Sequence, residues 1–217
     1  MQRRDFFGGF GSLVAMTGLW VPTQVVAQAK APQAGTDFKK LDKPVPVEAP
    51  AGKVEVVEFF GYFCKHCNAF EPALAAWLSK LPKDVAFKRV PVAFTDESVP
   101  QQRLFYALEA MGLVDKLHAR VFAAIHVEKQ SLNKADAIVD WAVKQGVDKA
   151  KFVENFNAFN TYKLSTKAKQ LANAYQIEGV PTLGVAGRSI TDGSMAKSME
   201  RALQVADYLI AQARSAR

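Results

Sequence analysis

The chain has 217 residues, 49% of them hydrophobic and 23% charged, which supplies apolar mass for one domain, or a domain carrying an insertion, and excludes disordered and low-complexity classes. Its formal charge of +7 comes from basic residues scattered among acids, with no run of five like charges and no groove-reading motif, so nucleic acid is not an expected partner. Only two cysteines are present, too few for a disulfide-stapled scaffold, so they act as one pair.

In chain order, Arg3 and Arg4 precede an uncharged stretch from Phe6 to Ala29 that ends in Ala27-Gln28-Ala29 before Lys30. This is the anatomy of a cleaved export signal, with cleavage expected near Ala29-Lys30. Gly8, Gly9, Gly11, Gly18, Pro22 and Gln24 interrupt the apolar part and argue against a retained membrane anchor. The run Gln2-Arg3-Arg4-Asp5-Phe6-Phe7 is similar to a twin-arginine signal, but paired arginines are common in general secretion signals too, so both routes stay open. Export to the periplasm places the cysteine pair in an oxidising compartment.

Ala31 to Pro50 reads as an extended arm, with one edge strand around Thr36 to Leu41. Val54 to Phe60 is short, β-branched and aromatic, as a strand buried on both faces would be. It runs through Gly61-Tyr62-Phe63 into Cys64-Lys65-His66-Cys67, after which Phe70, Leu74, Trp77, Leu78 and Leu81 recur at helical spacing. Asp84 to Phe94 reads as a second strand, closing a βαβ unit. From Ser98 to Ala174 only helical patterns appear, with stripes at Leu104, Leu108 and Met111 and at Val114, Leu117, Val121 and Ile125. Asn133 is the expected cap of a helix that stops at Gly146, and Asp148 the cap of the next. Strand chemistry resumes over Gly179 to Gly187, with Arg188 to Thr191 as its hairpin partner, and residues 197 to 213 form a closing amphipathic helix.

Cysteines three apart at the start of a helix lie one turn apart, close enough to open and close a disulfide reversibly. Zinc fails on ligand count, because the remaining ligands would be His66, His118 and His126, of which the last two are eight apart. A c-type haem needs histidine where Asn68 stands. A purely structural disulfide across two residues would constrain little chain entropy. The pair is therefore read as a redox-active dithiol, with neither metal nor cofactor. Cys64 faces the positive end of the helix dipole and is the expected nucleophile; Cys67, inside the first turn, resolves or receives the mixed disulfide. His66 is placed to give a hydrogen bond or positive charge to the Cys64 thiolate. His118 and His126 read as ordinary surface or core histidines. Glu58 is an acid in a run otherwise fit for burial; it either faces water at a sheet edge or is buried, with Lys88 as its candidate partner.

The run Val56 to Cys67, the distant Gly179-Val180-Pro181-Thr182 turn and the helical block between them resemble the DsbA family of periplasmic thiol:disulfide interchange proteins. The resemblance implies an α/β, thioredoxin-like fold with a mixed central sheet and an inserted all-helical domain. Its parts would be residues 30–97 and 175–217 for the thioredoxin-like domain and 98–174 for the insertion, after a signal at 1–29. It implies that Glu58 is a buried carboxylate moving protons to and from Cys67. It also implies a cis Val180-Pro181 bond folded against the cysteines, where Val180, Pro181 and Thr182 meet an extended substrate segment. The implied activity is a monomeric dithiol oxidase acting on reduced, unfolded exported polypeptides and recycled by a quinone-linked membrane partner of the DsbB type. A reductase or isomerase of the same fold, and a peptide-binding chaperone with an incidental redox pair, are the alternatives. The short segment before the first strong strand leads us to expect no dimerisation domain, and so oxidase over isomerase. Lys65 departs from the family's common proline and tunes the site: it loosens the first helical turn while placing a cation near the thiolate.

Overall fold

The N-terminal arm joins the sheet through β1 (Lys39–Lys40), a two-residue edge strand in the computed structural model, which describes residues 31–216. The expected export signal lies outside the described residues. β2 (Val54–Phe60) is buried along its whole length and leads into α1 (Lys65–Leu78), after which β3 (Val85–Pro91) returns parallel to β2. Five helices follow without an intervening strand: α2 (Val99–Ala110), α3 (Val114–His126), α4 (Ala135–Lys144), α5 (Lys149–Asn157) and α6 (Phe159–Ala174). The hairpin β4 (Thr182–Val185) and β5 (Ser189–Asp192) and the helix α7 (Met199–Ser215) complete the chain.

The sheet order is β1-β5-β4-β2-β3, with β2 parallel to β3 and antiparallel to β4. This is a mixed sheet, and β2 is interior to it. An interior strand has no wet edge, which corrects the reading of Glu58 as a solvent-facing edge acid: Glu58 is fully buried. Side chains alternate across β2. Val54 and Val56 pack with Phe70 and Leu74 of α1 and with Val205, Ala206 and Leu209 of α7. Val57 and Phe59 join a second core with Leu104, Leu117, Val121 and Phe152 of the helical block. Sheet and helices thus share apolar interior, and residues 32–216 belong to one compact unit.

Several boundaries differ from expectation: β1 is confined to Lys39–Lys40, β4 to Thr182–Val185, and α7 runs over Met199–Ser215. β3 ends at Pro91 rather than Phe94: Val92 N–H still reaches Phe60 O at 2.7 Å, but Phe94 leaves the sheet and meets the Phe63 ring edge-on at 6.2 Å. Asn133 does not cap α4, because its side-chain oxygen accepts from Ser131 Oγ at 2.8 Å and Lys134 takes the cap position. Asp148 does cap α5, accepting from Lys151 N–H at 2.8 Å. Gly146, with φ of +82°, follows α4 in the left-handed backbone that glycine tolerates best. Among the described residues, no helix is long and apolar enough to cross a membrane.

Candidate active site

The strand-to-helix turn sets the site. The Phe63 ring packs over Gly61, where a Cβ would force the ring aside. Cys64 N–H donates to Gly61 O at 3.0 Å, and Cys64 itself is the extended N-cap of α1. A cap residue's side chain faces the unpaired N–H groups of the first turn. Here Cys64 Sγ accepts from Cys67 N–H at 3.4 Å. In the thiol form, Sγ–H donates to Val180 O at 3.1 Å, so the turn some hundred residues later does lie against the cysteines. Both cysteines are free; Cys64 is half-buried and Cys67 fully buried.

Their acidities diverge as this geometry requires. Cys64 is pulled down to about 6, chiefly by a hydrogen bond from the Cys67 thiol. Burial opposes this, while the Cys67 and His66 N–H groups and the His66 charge assist it. Cys67 is pushed far above the usual thiol range by burial, then by its hydrogen bond to Cys64 and the Cys64 charge, with Glu58 adding to the shift. We expect the ultraviolet absorbance of the Cys64 thiolate to appear with a midpoint near 6 on raising the pH of the reduced protein; a midpoint in the ordinary thiol range would contradict this account. The sign for stability follows. Reduced, folded protein holds Cys64 ionised where the unfolded chain does not, so the Cys64 contribution to stability grows as pH rises from about 6 towards 9.

Lys65 and His66 are both exposed on the first turn of α1. The Val180-Pro181 bond is cis. Val180 is half-buried and Pro181 buried. Thr182, expected to meet substrate, is only 3% exposed, and its hydroxyl donates to Gly179 O at 2.8 Å. Its side chain braces the turn instead, and its backbone belongs to the β2–β4 ladder.

Beneath α1 the partner of Glu58 is not Lys88. The parallel register sets Glu58 opposite Arg89, and neighbouring side chains on a strand point to opposite faces. Lys88 accordingly pairs with Glu48 and Glu55 on the other face, each at 3.2 Å. Arg89 Nε lies 3.1 Å from Glu58 Oε2 but off the hydrogen-bonding direction, so neither Glu58 oxygen has a well-formed hydrogen bond. Arg89 Nη2 donates to Glu71 Oε2 at 3.2 Å, and Glu71 Oε1 lies 3.2 Å from His118 Nε2. His118 Nδ1 meets the Tyr62 hydroxyl at 2.8 Å. His126 Nε2 donates to the Tyr62 carbonyl at 2.7 Å. α3 therefore holds both ends of a residue two positions before Cys64. Glu58 is pushed up to about 8, first by burial and then by the Glu71 charge, with Arg89 opposing. Burial also raises Glu71, but the hydrogen bond from His118 and the charge and hydrogen bond of Arg89 outweigh it and leave Glu71 below the usual carboxylate range.

Sequence reasoning passed over Glu71 and Tyr62 and read His118 as an ordinary surface or core histidine. Glu71 carried a signal, standing four residues after Cys67 on the same face of α1.

An asymmetric dithiol at a helix cap, beside a cis-proline turn and above a buried acid, is a thiol–disulfide exchange site. The family of DSBA-like thioredoxin domains matches residues 55–204. A Burkholderia cepacia thiol:disulfide interchange protein DsbA is 43% identical over 186 residues, which is 86% of this chain and 88% of the relative. The chain belongs to the DsbA family. The Pseudomonas aeruginosa DsbA is 42% identical over 205 residues, 94% of this chain and 95% of its own. A crystal structure of Pseudomonas aeruginosa DsbA superposes with a TM-score of 0.81, covering 85% of this chain and 95% of that one at 43% identity. The oxidoreductase DsbA of Xylella fastidiosa gives 0.79 at 33% identity, covering 86% of this chain and all of that one. As a DsbA-family protein with a thioredoxin-like fold, the chain is a protein thiol:disulfide oxidoreductase that works as a dithiol oxidase.

Proposed function

We propose that this DsbA-family protein, freed of residues 1–29, acts as a monomer in the periplasm and passes the Cys64–Cys67 disulfide to reduced, unfolded exported polypeptides. The observation that carries the direction of transfer is the placement of Cys64 at the cap of α1, where N–H groups and the His66 charge favour its thiolate. Only the reduced form has a thiolate to stabilise, so these interactions favour giving the disulfide away. Residues 98–174 act as an inserted helical domain over the thioredoxin-like parts at 30–97 and 175–217.

In the reaction a client thiolate attacks Cys64 Sγ, the Cys64–Cys67 bond breaks, and Cys67 Sγ leaves with the electron pair. Glu58, protonated at neutral pH, supplies the proton that Cys67 then takes up. A second client thiolate attacks the client sulfur of the mixed disulfide, and Cys64 leaves as its stabilised thiolate. Two client thiols are oxidised and one enzyme disulfide is reduced. The Val180 backbone pairs with the extended client segment, with Pro181 fixing the turn. Phe63 and Phe94, 38% and 47% exposed, offer an aromatic surface beside Cys64 for apolar client side chains. Lys65 adds positive charge at the first turn. A quinone-linked membrane partner of the DsbB type restores the disulfide.

Incubating the oxidised protein with a reduced, unfolded client is expected to yield client disulfides in stoichiometric amounts, and equilibration with glutathione to place the pair on the oxidising side of that couple. A chaperone would suppress client aggregation without transferring a disulfide. A pair more reducing than glutathione would assign the protein to the reductases.

A further inference from the structure

His118 sits in the helical block, yet it ends a line of polar groups that runs beneath the cysteines: Tyr62 hydroxyl, His118, Glu71, Arg89, Glu58. Their hydrogens are fixed by what each partner can do. An ionised Glu71 only accepts, so His118 Nε2 carries the ring proton at the 3.2 Å contact. Nδ1 is then bare and accepts from the Tyr62 hydroxyl at 2.8 Å. One neutral tautomer satisfies both contacts, and the ring is only 5% exposed.

Two carboxyls flank a single guanidinium, and in a low-dielectric interior one cation cannot hold both ionised. One of them carries a proton. The surroundings of the pair are unequal. Glu71 receives two N–H donors, from His118 and Arg89, and is partly exposed. Glu58 receives no well-formed hydrogen bond and is sealed from solvent. Other ionisable groups near the line are Cys67 of α1 and, across a cleft of about 310 Å³ that opens on Arg89, Lys88, Glu109 of α2 and Asp115 of α3. None of those three lies on the line itself.

We propose that His118 is a positioning residue for disulfide exchange: by donating Nε2–H to Glu71 it keeps the single proton of the Glu58–Glu71 pair on Glu58, beneath Cys67. The inference rests on the reading that Glu58 supplies the proton taken up by Cys67. It adds that the helical block, through His118, acts with the burial of Glu58 in β2 to decide where that proton resides. Without the donor, the proton moves to Glu71, Arg89 closes on an ionised Glu58, and Cys67 leaves with no acid under it.

Two variants separate the contacts of the ring. In His118→Gln the side-chain amide reaches the Nε2 position and retains a donor to Glu71; His118→Asn ends at the Nδ1 position and retains only an acceptor for Tyr62. The readouts are the carboxyl titrations of Glu58 and Glu71 by carbon-13 NMR of the reduced protein, and the pH profile of mixed-disulfide formation. Gln is expected to keep the Glu58 midpoint at about 8 and the wild-type profile. Asn is expected to lower the Glu58 midpoint, raise that of Glu71, and slow mixed-disulfide formation at neutral pH by about tenfold or more. The wild-type His118 ring should show the neutral Nε2–H form by nitrogen-15 NMR across the Glu58 transition, a measurement that stands even if neither variant folds. A Glu58 titration that is the same in both variants, whether shifted or not, or a ring in the Nδ1–H form, would overturn the role of His118. Glu58→Gln serves as the control: if it exchanges at the wild-type rate the reading of Glu58 itself fails, whereas if it is slow while both His118 variants are normal only the present inference fails.

Discussion

Cys64→Ala is expected to abolish disulfide transfer, whereas Cys67→Ala is expected to leave the protein covalently joined to clients through Cys64. The two sulfurs are one turn apart but chemically opposite. Cys64 is half-buried, caps α1 and ionises at about 6, so it is the sulfur that clients reach and the better leaving group. Cys67 is enclosed and its thiol is held protonated by burial. A protein without Cys64 retains a thiol that neither ionises nor meets a client. A protein without Cys67 can still form the Cys64–client bond once oxidised in the client's presence, but lacks the internal thiol that would reverse it. Non-reducing gels of each variant mixed with reduced and oxidised clients read the difference directly. Client adducts on Cys67 in the Cys64→Ala protein would invert the assignment.

Glu58→Gln is expected to make the protein more stable and less able. Below pH about 4.5, Glu58 is protonated in both folded and unfolded chains and adds no pH dependence to stability. Between that value and about 8 the unfolded chain loses the proton while the folded one keeps it, so folding takes up a proton. The Glu58 contribution to stability then falls with rising pH by up to about 1.4 kcal/mol per unit. Sharing of the proton with Glu71 reduces this, and we expect a gain on the order of 2 kcal/mol for the glutamine variant at neutral pH. The gain should shrink towards zero in acid, as read by denaturant unfolding of the reduced protein at several pH values. A gain that grows in acid would have the wrong sign. The same variant should slow the step in which Cys67 leaves by about 10²-fold, the scale of a lost general acid.

What the sequence disclosed is local. Val54 to Cys67 is legible because a buried strand, a tight turn and a capped helix each leave a short-range pattern, and Asp148 shows its cap for the same reason. Tertiary register leaves none. Lys88 and Arg89 are equivalent cations in the sequence, and only the parallel pairing of β2 with β3 sends Arg89 under α1 and Lys88 to the opposite face. His118 lies on an apolar stripe and reads as filler, because its partners Glu71 and Tyr62 are 47 and 56 residues away. Asn133 failed as a cap for a related reason: Ser131, two residues before it, claimed its side-chain oxygen, a competition that composition does not reveal.

Tyr62 gives the helical block a standing that its place in the chain conceals. The hydroxyl and the carbonyl of this one residue are each held by a histidine of α3, two turns apart on one face of the helix. A block of equal size and apolar content, grafted between β3 and β4 from an unrelated helical protein, would cover the sheet just as well. It would not supply two ring nitrogens at the spacing of Tyr62. The insertion is thus a fitted part and not an interchangeable cassette, and chimaeras that preserve the fold while losing the alignment of the Cys64 turn are the expected products of such grafts.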